Sequence, residues 1–183
     1  MLVSREVENP INAKSLEIIC NFTRFPVNGR FLARYEGLVD TLVFSANCEV
    51  PISRVSALRA FQNMSADGMT KTFLASDTVL SLMTSSALRK DPDEKEAAVA
   101  TLYNISTEPG AVVAITNTRN VVATLVHLAH DPDSQGIIRL LACEALATIS
   151  LWLQTLAGTG KVPEGVENYP LPSHKTFGWE RWE

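Results

Sequence analysis

Four prolines, Pro10, Pro51, Pro92 and Pro132, divide the chain at intervals of 41, 41 and 40 residues. Behind each of the first three an asparagine follows 11 or 12 residues later, at Asn21, Asn63 and Asn104. A fixed period of this length restricts the chain to an array of small helical units. One such unit cannot bury its apolar face alone and must stack on the next. The period leaves the ligand open.

Aligned on the asparagines, Leu16-Glu-Ile-Ile-Cys-Asn-Phe-Thr23 matches Leu58-Arg-Ala-Phe-Gln-Asn-Met-Ser65 and then Ala100-Thr-Leu-Tyr-Asn-Ile-Ser106. A fourth line, Leu146-Ala-Thr-Ile-Ser150, keeps the apolar positions but puts Thr148 where asparagine is due. Equivalent positions are spaced by 42, 41 and 44 residues.

Each unit reads as three helices. The longest begins at the proline: Asp91-Pro92-Asp93-Glu94 supplies an N-cap, a proline at the first helical position and a glutamate three after the cap. Such a cap is worth about 1 kcal/mol. Asp131-Pro132-Asp133 repeats most of it, predicting a last long helix from Ser134 to about Leu156. Ala98, Leu102 and Ile105 line one helical face. Beyond the asparagine, Pro26, Gly68 and Pro109 break the chain. A short helix follows each break (27–34, 69–75, 109–116), then a second (36–46, 77–88, 119–130). No alternating pattern is long enough for a sheet, so the fold class is all-α.

These residues resemble the armadillo repeat family, over roughly residues 10–157. The motif is an aliphatic or aromatic residue, any residue, Asn, an apolar residue and Ser or Thr at the end of a third helix. Glu36-Gly37-Leu38 is similar to the family's glycine between the first two helices, and Ser76-Asp77 and Thr118-Arg119 replace it later. HEAT repeats are of similar length but have two helices. The resemblance implies a right-handed α-solenoid of three-helix repeats over residues 1–157, followed by an extended tail over 158–183. It also implies a non-enzymatic scaffold holding an extended peptide or partner protein in a concave groove of third helices. Asn21, Asn63 and Asn104 would bond the peptide backbone, since an amide both donates and accepts. One turn earlier stand Glu17, Arg59, Ala100 and Glu144. Glu17, Arg59 and Ala100 occupy the place where nuclear-import members carry tryptophan, so recognition of nuclear-localisation signals is not carried over. The alternative role for the asparagines is structural, tying down the turn after the helix.

Composition narrows the classes. With 46% hydrophobic residues, 20% charged residues and a net charge of −4, the 183-residue chain is too apolar for disorder, and its acidity argues against nucleic acid. The start at Met1 lacks the apolar stretch of a signal peptide, so a cytoplasmic or nuclear location is expected. Ala145 to Gly158, about 14 uncharged residues, is short for a bilayer of about 30 Å, so no membrane partner is expected. Cys20, Cys48 and Cys143 are odd in number and far apart, which suits reduced thiols. No cofactor, metal or catalytic residue is expected. His127, His130, Asp131 and Asp133 share a helix end, but the aspartates repeat Asp91 and Asp93 as caps. The glycosylation pattern at all three asparagines is the repeat motif itself. Gly158-Thr-Gly160-Lys161 lacks the first glycine and last hydroxyl of a phosphate loop. Arg24, Arg30 and Arg34, interleaved with Phe25, Phe31 and Tyr35, read as the outer face of a short helix.

The sequence opens just ahead of a third helix and its last third helix is apolar almost all round, which calls for a cover. Phe177, Trp179 and Trp182 in the tail are the candidate anchors, either as a cap on that helix or as a motif for another protein. Self-association through uncapped terminal helices, or a place within a larger solenoid or homo-oligomeric assembly, is the alternative to a peptide groove.

Overall fold

A computed structural model describes residues 10–159; the tail anchors Phe177, Trp179 and Trp182 lie outside the described residues. The described part is helical throughout. In order, the helices are α1 (Pro10–Thr23), α2 (Pro26–Ala33), α3 (Leu38–Ala46), α4 (Pro51–Ser65), α5 (Gly68–Leu74), α6 (Asp77–Ala87) and α7 (Pro92–Ser106). A single 3-10 turn (Pro109–Ala111) leads into α8 (Val112–Asn117), followed by α9 (Val121–His130) and α10 (Gly136–Thr159). The short–medium–long triplets agree closely with the helices predicted from the repeat.

Packing follows the same count. The long helices α1, α4, α7 and α10 lie side by side in that order, and each of these contacts is among the most extensive in the molecule. Behind them α3, α6 and α9 each pack on the long helix that follows them in sequence. One continuous core runs through all units, with Leu42, Leu58, Phe61, Met83, Leu102, Leu125 and Trp152 fully buried. Burial of a large apolar side chain contributes about 1.5–3 kcal/mol, so this core dominates stability.

The helix starts show how different residues reach one geometry. Pro51 and Pro92 stand in the first turns of α4 and α7, where a missing N–H costs nothing. Asp91 caps α7, accepting from the N–H groups of Asp93 (2.9 Å) and Glu94 (3.0 Å). Before α3, Gly37 takes a left-handed conformation (φ 76°), which glycine adopts without strain. Before α9 that conformation falls on Asn120 (φ 67°), two residues beyond the Thr118 expected from alignment, and asparagine is among the few residues that tolerate it. In the middle unit Ser76 stays extended and caps α6 through its hydroxyl.

Two expectations are corrected. Asp131-Pro132-Asp133 does not start the last helix. Asp131 ends α9 and its carboxylate accepts from the Ser134 hydroxyl (2.7 Å) and the Asp133 N–H (3.1 Å), which closes a turn. Ser134 stands where Glu94 stands one unit earlier, and Gly136 follows it, so α10 begins later. The second correction concerns length. Residues Gly136–Gly158 form a 23-residue helical stretch that is, by length and composition, apolar enough to cross a membrane. Its Ile138, Leu141, Ala145, Ile149 and Trp152 are buried, and α10 packs on α7 and α9 through that one face.

Charged side chains also lock unit to unit. The Glu94 carboxylate is fully buried and is held by Arg54 Nε at 2.6 Å and Arg89 Nη1 at 2.9 Å. Arg89 also donates to the Ala46 carbonyl (2.8 Å) and Asn47 Oδ1 (3.0 Å), while Arg54 reaches the Cys48 and Glu49 carbonyls (3.2 and 3.0 Å). The end of α3, the start of α4 and the start of α7 are thereby clamped. Buried Lys71 of α5 donates to Thr107 Oγ1 at 2.6 Å, and Arg30 of α2 pairs with Asp67 at 2.7 Å.

Removing one partner of a buried ion pair leaves charges uncompensated, so Glu94→Ala will lower unfolding free energy by about 3–5 kcal/mol, read by urea denaturation. Burial pushes the Lys71 ammonium below its ordinary 10.5, partly opposed by Glu108 and Asp67. The unfolded chain then binds more protons in the pH window below 10.5, so stability rises with pH through that window. Lys71→Met will lack this rise, and denaturation curves of the two proteins across that window will show it.

Candidate functional site

The three asparagines sit at the ends of α1, α4 and α7, where a helix leaves its last four carbonyls without intrahelical partners. Asn63 Nδ2 donates across the unit boundary to the Cys20 carbonyl (3.1 Å) and Thr23 Oγ1 (3.2 Å) at the end of α1. Asn104 Nδ2 donates to Ser65 Oγ (3.1 Å) and, at 3.5 Å, to the Gln62 carbonyl at the end of α4. The hydroxyls are fixed in turn. Thr23, Ser65 and Ser106 each donate back to the carbonyl three residues earlier, at 2.7, 2.9 and 2.7 Å. The Asn-x-Ser/Thr motif is therefore a rung: the hydroxyl closes its own helix end and accepts the amide of the next unit.

Burial grades the rungs. Asn104 is 0% exposed and Asn63 8%, whereas Asn21 is exposed. Thr148, in the asparagine position of α10, instead donates to its own Glu144 carbonyl at 2.8 Å. The amide nitrogens that a glycan or a bound peptide would need at Asn63 and Asn104 are thus already used between units.

A groove remains in front of the row. Cys20, Asn21, Arg24, Arg59, Gln62 and Asn63 line a cavity of about 100 Å³ between α1 and α4. Glu17 stands one turn before Asn21, exposed. Arg59 pairs with Asp93 of α7 at 3.2 Å. Burial raises the Cys20 thiol above its ordinary value, with the positive charges of Arg59 and Arg24 pulling the other way and Glu17 adding to the rise. That pattern places both guanidiniums and the Glu17 carboxylate within electrostatic reach of the groove floor. Further along the row, burial and then the Glu144 carboxylate raise the Tyr103 phenol. Two guanidiniums, Arg24 and Arg59, line the α1–α4 cavity.

Of the residues singled out by sequence, Asn21, Arg59 and Asn63 line this one cavity with Glu17 beside it. Asn104 and Glu144 belong to the next two helices of the row and do not line it. Arg24, Gln62 and Cys20 were not picked out as groove residues. Their signal lay in the repeat: Cys20 and Gln62 precede an asparagine by one residue, and Arg24 follows one by three. Arg30, grouped with Arg24 and Arg34 as an outer face, serves the Asp67 pair instead. His130 Nδ1 lies 2.8 Å from the Val126 carbonyl and Asp131 is held by Ser134, so both are engaged in local contacts. No protein-family model matches the chain, and no curated protein matches it either.

The graded burial sets an order for the rungs. Asn104→Ala will cost about 1–3 kcal/mol, because it strips a donor from fully buried acceptors, and will lower Tm by roughly 2–4 °C for each kcal/mol. Asn63→Ala will cost less, and Asn21→Ala will stay within about 0.5 kcal/mol at high dilution. Thermal unfolding followed by circular dichroism ranks the three.

Proposed function

We propose that the chain is a short armadillo-type right-handed α-solenoid acting as a non-enzymatic scaffold. On this reading it binds an extended, carboxylate-bearing peptide of a partner protein in the groove of its third helices. The observation that carries this is the α1–α4 cavity, where Arg24 and Arg59 flank a floor of amide and thiol groups. Guanidinium pairs suit carboxylates, whose two oxygens accept parallel hydrogen bonds. Side chains along the front of the row, Glu17, Arg24 and Arg59, do the recognition. Asn63 and Asn104 hold the row in register beneath them.

A second reading is favoured by the rungs themselves. With Asn63 and Asn104 engaged between units, the motif accounts for stacking without any ligand. The chain would then be a structural segment of a larger assembly.

The two separate by substitution. An array of acidic extended peptides, scored for capture of the purified chain, will give binders whose affinity falls at least about tenfold in Arg24→Ala/Arg59→Ala, since charged hydrogen bonds are worth about 1.5–3 kcal/mol. Tm will be unchanged within error. Absence of any binder, or binders indifferent to both arginines, removes the groove reading and leaves the structural one.

A further inference from the structure

Each third helix has two stacking sides. The leading side carries the asparagine and the residue three before it, and packs toward the preceding unit. The trailing side carries the Ser/Thr hydroxyl and, two turns earlier, an apolar residue on the same face. Inside the array both sides are closed. On the leading sides of α4 and α7, Ala60 and Thr101 are fully buried next to Asn63 and Asn104. On the trailing sides of α1, α4 and α7, Leu16, Leu58 and Val99 are buried, as are Thr23, Ser65 and Ser106.

The same positions are open at the two ends. On α1, Ile18 is 64% exposed and Asn21 is exposed with it. On α10, Cys143 occupies the Leu16 position and Ser150 the Thr23 position, and both are exposed, as is Ala147 between them. No described element packs on either side. One end thus presents an amide donor beside an aliphatic side chain. The other presents a hydroxyl at the end of an apolar helix face. They are the two halves of an interface that the chain forms twice within itself, between α1 and α4 and between α4 and α7.

We infer that a second copy of this chain is the occupant of both faces. The trailing side of α10 in one copy stacks on the leading side of α1 in the next, and Asn21 donates to the Ser150 hydroxyl and the Ala147 carbonyl. The contact is head-to-tail, so it does not close at a dimer and adds copies in a row. It rests on the stacking geometry and not on peptide binding in the groove.

Sedimentation of the full chain over a wide concentration range tests this. The expected result is a weight-average mass that climbs past the dimer without a plateau. Ile18→Glu blocks the leading side and Cys143→Glu the trailing side; both sites are exposed, and circular dichroism confirms retained helicity. Each variant alone is monomeric, while an equimolar mixture forms a dimer and nothing larger, since one intact face of each kind remains. Asn21→Ala weakens association by roughly tenfold, the loss expected for one amide donor. A full chain that stays monomeric at every concentration overturns the inference. So does a mass that stops at the dimer with no complementation between the two variants. Association that appears only once residues 160–183 are removed also overturns it, by making that segment the occupant of α10.

Discussion

At two junctions of the array, α1–α4 and α4–α7, a long helix is joined at its end to the one before it through an amide. The bond works because three needs coincide at one place. A helix end has carbonyls without partners, a Ser or Thr two residues past the asparagine can turn back onto one of them, and the next unit's asparagine reaches both groups. Thr23 and Cys20 receive Asn63, then Ser65 and Gln62 receive Asn104. Apolar packing supplies most of the stability, but it tolerates sliding along a helix axis. A buried donor with one set of acceptors does not, and so it fixes the register of the row.

The charged clamp acts at the opposite ends of the same helices. Glu94 is fully buried at the start of α7, and its two arginines come from the start of α4 and the turn before α7. A buried ion pair is a weak source of net stability, yet a misplaced one is costly. Rungs at one end and the clamp at the other therefore penalise the same errors of stacking. The last junction departs from this scheme. Thr148 turns back on its own helix, Ser134 replaces the glutamate, and α10 is held on α7 and α9 largely by apolar contact.

This division of labour shapes the functional reading. Amides that hold the register are engaged between units, so the proposed recognition falls to Arg24, Arg59 and Glu17. The same rungs give the array ends their complementarity, since Asn21 is a donor and Ser150 an acceptor left over by an internal pattern. The proposed groove and the stacking faces share Asn21, which lines the α1–α4 cavity and is also the leading-side amide of α1.

The period and the motif by themselves determined the all-α class, the triplet order and most helix boundaries. A repeat of 41 residues with proline starts and glycine or proline breaks leaves few other solutions. Asp91 was legible as a cap because capping depends on only four consecutive residues, Asp91 to Glu94. The last helix start was not: Asp131-Pro132-Asp133 carries the same local signal, but Ser134 and Gly136 divert it into a turn. Nor could sequence settle the asparagines, since an amide in a groove and an amide in a rung leave the same pattern. Only the tertiary structure shows what Asn63 and Asn104 bond, by bringing residues 39 to 43 positions apart within 3.1–3.5 Å. The pairing of Arg54 with Glu94 across 40 residues was decided the same way. Local chemistry writes the helices. Which buried polar group meets which depends on how the units stack, a property of the whole row.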